Sequence, residues 1–208
     1  MDNPVFDQVL GPTEIRVLGT LIEKEGTTPE YYPMSLNSLV AACNQKSNRW
    51  PVTEYDESDV TNGIEALRLR GYAASITGGS RVTKYAQRFT EKLNLGRRET
   101  AILCVLMLRG PQTVGEIKGR TERLYSFADL DETETVLHKM MDTFVQKLPH
   151  APGTKEPRYA HTLGGAVEVP QSAPAAPHSS DRISALEAEV AQLREEVAEL
   201  RRRLDAVL

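Results

Sequence analysis

The chain contains few cysteines, and this shortage limits what it can be. Only two of its 208 residues are cysteines, Cys43 and Cys104, and they lie far apart in apolar surroundings. Two such thiols argue against a disulfide framework, and they cannot complete a closed zinc site without histidine. We therefore expect both cysteines to be buried structural thiols, and we expect no metal site.

Long apolar runs are also missing. No segment approaches the roughly 18 apolar residues that a membrane-spanning helix needs. The first residues, MDNPVFDQVL, lack the basic and apolar regions of a secretory signal. We therefore expect a cytoplasmic protein without a membrane partner. Aromatic residues make up only 6% of the chain, so we expect the cores to consist of Leu, Val, Ile and Met.

Catalytic motifs are absent from the sequence. The four histidines show no HExxH spacing, and the chain contains neither a P-loop nor a GxGxxG motif. Thr113 in GPQTVGE is a better helix N-cap than nucleophile, and Tyr159 and His161 in EPRYAH fit a structural strand. The sequence therefore predicts a protein that is not an enzyme and binds no cofactor.

The charges of the chain are unevenly distributed. The net charge of −4 does not favour a polyanionic partner. Between Ala66 and Arg98, however, there are eight basic residues and a single acid, Glu91, which is a local excess of +7. This basic segment, residues 66–98, is the strongest electrostatic feature of the sequence.

Residues 1–91 show the pattern of three helices followed by a β-hairpin. Apolar residues recur at helical spacing in TEIRVLGTLIEKEG, SLNSLVAACN and DESDVTNGIEALRLRG. The first helix is predicted to begin at the N-cap Thr13 and the second at Ser35, and Gly71 is predicted to end the third. Two strand-like runs on either side of TGGS predict a hairpin. Three helices and a hairpin in about eighty residues are typical of a winged-helix domain.

Residues 92–164 repeat this plan. RRETAILCVLMLRG, TVGEIKGRT and DETETVLHKMMDTFVQKL match the three helices, and Val136, Met140 and Phe144 form the apolar seam of the third. A second hairpin is expected from residues 145–148 to residues 158–163, across a Pro/Gly turn. The predicted fold is therefore mainly α with small β-hairpins (α+β), as tandem winged-helix domains with a C-terminal coiled-coil helix.

The last residues predict a linker and this coiled coil. Residues 165–181 are rich in Pro, Ala and Ser, which is typical of a flexible or polyproline-like linker. Residues 182–208 carry an unbroken heptad repeat that favours a parallel homodimer. The alternative is an amphipathic helix that folds back on its own domain. The core positions of the repeat are Ile183, Leu186, Val190, Leu193, Val197, Leu200, Leu204 and Val207.

Several long motifs resemble those of one family. TTPEYYPMSLNSLVAACNQKSNRWPV, RVTKYAQRF, LRGPQTVGEIKGR and LPHAPGTKEPRYAH are similar to motifs of the YceH-like family of uncharacterised bacterial proteins. The resemblance covers about residues 11–165 and implies two tandem winged-helix domains without a known catalytic activity. The chain departs from the family pattern at Gln87, where His is expected, and at Gly164, where Ser is usual.

The segment NQKSNRWP, residues 44–51, is a candidate nucleic-acid contact. Its amide and cationic side chains offer donors of the kind that fix phosphates, and Trp50 would shape the loop. Alternatively, these side chains cap helix ends and bond the loop's own backbone, with Trp50 packed as a hydrophobic plug. The candidate contact residues are Asn44, Lys46, Asn48 and Arg49.

The first hairpin is a second candidate. Arg81, Lys84 and Arg88 lie near its Gly-Gly turn and could lay cations along a groove of DNA. Arg68, late in the third helix, is a further candidate phosphate contact. The alternative is a solvated edge hairpin whose basic residues prevent aggregation.

Acidic residues on the third helix oppose base-specific reading. Asp56, Glu57, Asp59 and Glu65 would repel phosphate, whereas recognition helices contact bases near their N-terminal ends. The sequence nevertheless favours a DNA-binding homodimer with a regulatory role. The alternative is a protein-interaction adaptor that uses the winged-helix domains and the coiled coil to dock a protein partner.

Overall fold

Helices alternate with two small antiparallel sheets along the chain. The computed structural model describes residues 9–77, 82–141, 143–150 and 156–165, and about half of these residues are helical. The helices are α1 (Pro12–Thr27), α2 (Leu36–Cys43), α3 (Glu57–Leu69), α4 (Phe89–Lys92), α5 (Arg97–Arg109), α6 (Val114–Thr121) and α7 (Leu130–Met140), with a 3₁₀ turn at Pro29–Tyr31. The strands are β1 (Met34–Ser35), β2 (Ala73–Ile76), β3 (Lys84–Gln87), β4 (Val145–Lys147) and β5 (Tyr159–His161). The predicted α+β class is confirmed.

The first sheet contains a strand that the sequence does not predict. Its order is β1-β3-β2, and β2 and β3 form the expected hairpin, with Ala73 opposite Gln87. The additional strand β1 is only two residues long and pairs antiparallel with β3, so that Ser35 lies opposite Lys84. A two-residue strand is too short for any periodicity to reveal it. The second sheet is the β4-β5 hairpin, close to the predicted bounds.

Side-chain caps set the start of several helices. Ser35 Oγ accepts from the Ser38 N–H at 3.3 Å, and Thr113 Oγ1 accepts from the Glu116 N–H at 3.2 Å, so both of these predicted caps are confirmed. The prediction for Thr13 is wrong, because α1 begins at Pro12 with Gly11 as its N-cap. The Glu14 carboxylate accepts from the Gly11 N–H at 2.7 Å, which is the contact that the N3 glutamate makes in a capping box.

Helices α1, α2 and α3 share one hydrophobic core with α5, α6 and α7, across the predicted domain boundary at residue 91. Helix α1 packs against α5, and Gly19 allows the close approach: a Cβ there would lie 3.1 Å from side-chain atoms of Met107 and Leu108. Cys104 Sγ lies 3.5 Å from the Gly19 carbonyl oxygen at the same contact. Because a side chain at position 19 would require Met107 and Leu108 to shift, this glycine favours close packing of the two sets of elements.

Both cysteines are buried and free, as predicted. Cys43 is 0% exposed and Cys104 is 1% exposed. Burial raises the pKa of both thiols, since a thiolate would lose its hydration in the core. The two residues therefore behave as small apolar side chains.

Three further predictions concern the end of α7, a membrane span and the C-terminal residues. The prediction that Phe144 belongs to the apolar seam of the helix is wrong: helix α7 ends at Met140, and Phe144 is buried in the turn before β4. Within the described residues, no helix is long and apolar enough to cross a membrane. The predicted coiled coil at 182–208 and all but the first residue of the predicted linker lie outside the described residues.

Candidate functional site

Arg49 anchors the 44–56 loop, the connection between α2 and α3. Its buried guanidinium pairs with Glu23 of α1, with Nη1–Oε1 and Nη2–Oε2 distances of 3.1 and 2.6 Å. It also donates to the backbone oxygens of Ala42 and Asn48. All five guanidinium N–H groups are thus used inside the protein. This geometry favours the alternative in which Arg49 stabilises the loop, and its contact with phosphate stays a prediction.

Asn44 closes the same loop on itself. Its Nδ2 donates to the Tyr55 carbonyl oxygen at 2.7 Å, and its Oδ1 accepts from the Tyr55 N–H at 2.9 Å. Arg16 of α1 adds bonds from its guanidinium to the carbonyl oxygens of Cys43 (3.1 Å) and Pro51 (2.5 Å). These hydrogen bonds satisfy backbone groups that would otherwise lack a partner. The side chains of Asn44 and Arg16 therefore stabilise the loop itself.

Lys46, Asn48 and Trp50 are among the exposed residues of the loop. Lys46 is exposed and forms no side-chain hydrogen bond or ion pair with any residue in the described part of the chain. Asn48 has a positive φ of 61° and accepts a hydrogen bond on Oδ1 from Arg109. The Trp50 side chain is 65% exposed, so it is not buried as a hydrophobic plug, which is one of the two alternatives that the sequence leaves open.

Three acids from outside the basic segment, residues 66–98, form ion pairs with its arginines and reduce its net charge from +7 to +4. Glu91 forms a further pair within the segment. Exposed pairs of this kind are weak, but they reduce the local field that a phosphate would meet. The pairs are Arg68–Glu65 (2.6 Å), Arg70–Glu14 (3.0 Å), Arg88–Glu91 (3.3 Å) and Arg98–Glu132 (3.0 Å).

Lys84 is the accessible cation of the hairpin. It lies half-buried in β3, between Ser35 on one side and Ile76 on the other, and has no ion pair among the described residues. Arg88 follows β3 and is exposed in its pair with Glu91. Arg81 lies outside the described residues, so its predicted place beside Lys84 stays a prediction.

A cleft of about 470 Å³ lies between the 44–56 loop and the segment from α5 to β5. Trp50 forms one wall: its backbone N–H donates to the Leu108 carbonyl oxygen at 2.8 Å, and its ring lies on Gly110. Four arginines line the remainder, so we call it the arginine cleft. Its residues are Asn48, Arg49, Trp50, Arg109, Pro111, Gln112, Glu116, Arg120 and Arg158.

The arginine cleft carries excess positive charge. Arg49 is neutralised by Glu23, and Arg120 and Arg158 share the single carboxylate of Glu116, at 3.5 and 2.8 Å. Among the described residues, Arg109 has only an amide partner, Asn48. Three arginines therefore face one carboxylate. Burial lowers the pKa of the Arg109 guanidinium, and the charge of Arg120 lowers it further, against the opposing effect of Glu23.

Glu116 organises two of these arginines. Its Oε2 accepts from the Thr113 N–H at 3.0 Å and from Arg158 Nη1 at 2.8 Å. Burial acts to raise the pKa of Glu116, but the Thr113 N–H and the charges of Arg158 and Arg120 outweigh it, so the pKa is lowered. The carboxylate is therefore ionised and holds both guanidinium groups at the cleft.

Sequence reasoning missed Arg109 and Arg120 and placed Arg158 only in a structural strand. Arg109 and Asn48 meet although they are 61 residues apart along the chain. No local pattern marks either arginine, because the cleft exists only where α5 packs beside the 44–56 loop. Within the described residues, no group of three or more His, Cys, Asp or Glu side chains could hold a metal ion.

These features define an α+β protein with two small antiparallel sheets and an arginine-lined cleft. The chain belongs to the family described as "Protein of unknown function, DUF480", whose model matches residues 10–154. That range contains the whole 44–56 loop and every cleft residue except Arg158. The more specific YceH-like name stays a prediction.

Relatives in three bacteria share most of their length with this chain. A UPF0502 protein of Solibacter usitatus (strain Ellin6076) is 53% identical over 206 residues, covering 96% of this chain and 100% of the relative. A UPF0502 protein of Citrifermentans bemidjiense is 49% identical over 193 residues, covering 89% and 90%. One of Opitutus terrae is 48% identical over 192 residues, covering 89% and 84%.

Proposed function

We propose that the protein binds nucleic acid and that its elements form two tandem winged-helix domains. Support comes from their order: α1, α2, α3, β2 and β3 are followed by α5, α6, α7, β4 and β5. Three helices and a hairpin are typical of this variant of the helix-turn-helix, many members of which bind DNA. Fold alone does not decide function, so the proposal depends on the placement of particular cations.

The observation that carries the proposal is the pairing of Lys84 with Ser35. These residues lie opposite each other in β3 and β1, and Ser35 is the N-cap of α2. A lysine without a carboxylate partner in the described chain thus lies beside the start of a helix. Backbone N–H groups and the helix dipole favour a phosphate at such a place. Asn37 and Ser38, both exposed in the first turn of α2, add polar groups that suit backbone contacts.

Lys46, Arg68 and Arg88 would extend this phosphate-binding surface. Lys46 is unpaired among the described residues, and the two arginines form exposed pairs with acids three residues away. Exposed pairs contribute only about 0–1 kcal/mol, so a phosphate can replace the carboxylate at little cost. Arg81 keeps its predicted role in this surface, whereas Asn44 and Arg49 would hold the loop in place without touching the ligand.

The acids of α3 determine what kind of binding we expect. Asp56, Glu57 and Asp59 are exposed at the N-terminal end of the helix, where base contacts would be made. Their charge would oppose entry of α3 into the major groove. We therefore propose contacts to the phosphate backbone with little sequence specificity, and the affinity should then depend steeply on salt.

Fluorescence anisotropy of a labelled mixed-sequence duplex, titrated with the full-length protein at several salt concentrations, tests this proposal. The variant Lys46→Ala/Lys84→Ala/Arg88→Ala should bind more weakly at low salt. Its plot of log K against log salt should be shallower by about 0.9 for each phosphate contact that is lost.

The matched control is Arg97→Ala/Arg123→Ala/Lys139→Ala, which removes the same charge from exposed positions elsewhere in the described chain. It should keep the wild-type slope. If both triple variants lose affinity equally, only the net charge matters and the proposed surface is wrong. Absence of binding by the wild-type protein even at low salt would contradict nucleic-acid binding as a whole.

A second candidate function is that of a protein-interaction adaptor. Leu69, at the end of α3, is 91% exposed, and the same helix carries the acids that oppose phosphate. Carboxylates repel phosphate, so the exposed surface of α3 suits contact with another protein better than contact with DNA. A protein that ignores DNA at low salt would favour this function.

A further inference from the structure

We propose that the arginine cleft binds a mononucleotide, with its phosphate held by Arg109, Arg120 and Arg158 and its base placed against Trp50. The site does not coincide with the proposed phosphate-binding surface, since Lys46, Lys84, Arg68 and Arg88 do not line the cleft. The inference therefore goes beyond the proposed function and does not depend on it.

The arginines of the cleft define the anionic end of the ligand. Two of the three available guanidinium groups share Glu116, and within the described part of the chain Arg109 has only the amide of Asn48 as a partner. Like charges gathered around a partly buried arginine oppose one another, and a bound dianion would remove that repulsion. Guanidinium groups match phosphate oxygens in geometry and form strong charge-assisted hydrogen bonds with them.

Gln112 indicates that the ligand also carries a hydrogen-bond donor. The residue is 3% exposed and lines the cleft. Its Nε2 donates to the carbonyl oxygens of Arg109 (3.0 Å) and Pro111 (2.8 Å), which fixes the orientation of the amide. Its Oε1 is buried and accepts no hydrogen bond from the described protein. A buried acceptor without a partner is unfavourable, and a small movement of the Gln112 side chain would be needed for Oε1 to accept from a ligand N–H in the cleft.

Trp50 supplies a flat apolar surface in the same cleft. Its ring is supported by Gly110, where a Cβ would lie 2.7 Å from the ring atom Cε3, yet the side chain remains 65% exposed. Base–aromatic stacking stabilises nucleotide complexes by about 1–3 kcal/mol per base. The volume of about 470 Å³ lies within the range of about 300–1,000 Å³ that is typical of small-molecule sites.

These three features together select the ligand class. Inorganic phosphate would use the arginines but neither Gln112 nor Trp50. A nucleoside would use Trp50 and Gln112 but leave the arginine charge unbalanced. A nucleoside monophosphate has the phosphate, the N–H donors and the planar ring in one molecule, so it matches all three.

The single tryptophan of the chain gives a direct assay. The fluorescence of the full-length protein, excited at the red edge of the indole band, is recorded during titration with AMP, GMP, the matching nucleosides and inorganic phosphate. Isothermal titration calorimetry repeats each titration without an optical signal. We expect at least one nucleotide to change the Trp50 emission in a saturable way and to bind more tightly than its nucleoside and than phosphate.

Substitutions then test the two ends of the site. Arg109→Gln and Arg120→Gln should each weaken nucleotide binding about tenfold or more, because each removes a charge-assisted bond. Arg123→Gln removes an exposed arginine outside the cleft and should leave the affinity unchanged. By calorimetry, Trp50→Leu should weaken nucleotide binding and leave phosphate binding unchanged. Circular dichroism shows whether each variant is folded.

Several results would overturn the inference. These are no saturable binding of either nucleotide, equal affinity for nucleotide and nucleoside, equal affinity for nucleotide and phosphate, or wild-type affinity in both arginine variants. The variant that tests DNA binding, Lys46→Ala/Lys84→Ala/Arg88→Ala, should keep its nucleotide affinity, because none of these residues lines the cleft. Failure of nucleotide binding can therefore be distinguished from failure of DNA binding.

Discussion

The guanidinium of Arg49 holds both carboxylate oxygens of Glu23, at 3.1 and 2.6 Å, and so ties the 44–56 loop to α1. The Arg49 side chain is 0% exposed and that of Glu23 is 17% exposed. Removal of one partner from a buried pair typically destabilises a protein by about 3–5 kcal/mol, and here Lys24, 3.2 Å from Glu23 Oε2, would still pair with the carboxylate and favours the lower end of that range. We expect Arg49→Met to lower the free energy of unfolding by about that amount, as measured by urea denaturation.

The control for this prediction is Arg68→Met. Arg68 forms an equally short pair with Glu65, but both side chains are exposed, so the loss should be about 0–1 kcal/mol. Equal losses in the two variants would show that burial of the Arg49–Glu23 pair has no special role.

The same pair should make stability depend on pH. Burial acts to raise the pKa of Glu23, but the hydrogen bonds and charge of Arg49 outweigh it, and the pKa is lowered. The folded state therefore prefers the carboxylate. This contribution is present above the unfolded pKa, about 4.3, and is lost as the pH falls through the folded value. We expect the gap in stability between the wild type and Arg49→Met to narrow below about pH 4 without closing, because Arg49 also donates to the backbone oxygens of Ala42 and Asn48; a constant gap would contradict the assignment.

Much of the fold follows from local signals in the sequence. Ser35 and Thr113 cap their helices through their own side chains, and Gly71 ends α3 with a φ of 71°, so each boundary can be predicted from a few neighbouring residues. Strand β1 could not be predicted, because two residues carry no period and its pairing depends on β3, about fifty residues further along the chain. Gly11 acts as a cap only through the carboxylate of Glu14.

The candidate site was much less predictable than the fold. The sequence shows that the 44–56 loop is polar, but it does not show that Arg49 and Asn44 form their hydrogen bonds with groups inside the protein. The basic segment, residues 66–98, loses three of its seven excess charges to Glu65, Glu14 and Glu132, and the last two are distant in the sequence. Arg109, Arg120 and Arg158 come together only through packing between elements, so their spacing along the chain carries no signal.

Gly110 should be intolerant of any side chain. Its φ is 69°, and a Cβ would lie 2.7 Å from Cε3 of Trp50. We expect Gly110→Ala to destabilise the protein by more than about 1 kcal/mol, because it combines backbone strain with a clash. The displaced ring should also change the emission of Trp50 in the folded protein.

The matched substitution is Gly119→Ala in α6. An added Cβ there meets no heavy atom within 4 Å, and the backbone is helical. Alanine is better than glycine in a helix by about 0.8–1.0 kcal/mol, so this variant should be more stable than the wild type. Destabilisation of equal size at both positions would contradict the structural account of Gly110.

His161 should reduce stability as the pH falls. Burial lowers its pKa to about 4, and its Nδ1 is buried without a hydrogen-bond partner in the described protein. The unfolded pKa is about 6.5, so the folded state prefers the neutral ring, and stability is lost as the pH falls from about 6.5 towards 4. We expect a loss of about 2 kcal/mol between about pH 7 and about pH 5 that is absent in His161→Gln. His138→Gln, at an exposed position of α7, should keep the wild-type dependence.

The heptads of residues 182–208 lie outside the described residues, and we propose from the sequence that they pair two chains in parallel. In such a dimer Glu189 would face Arg194 of the partner, and Glu196 would face Arg201. We expect the wild type to be a dimer by light scattering and Leu193→Asp/Leu200→Asp to be a monomer, because both changes bury a charge in the seam. Ala191→Asp/Ala198→Asp adds the same charge at outward positions and should remain dimeric. A dimer that survives the leucine substitutions would show that the globular region holds the chains together, whereas a monomeric wild type would favour the helix that folds back on its own domain.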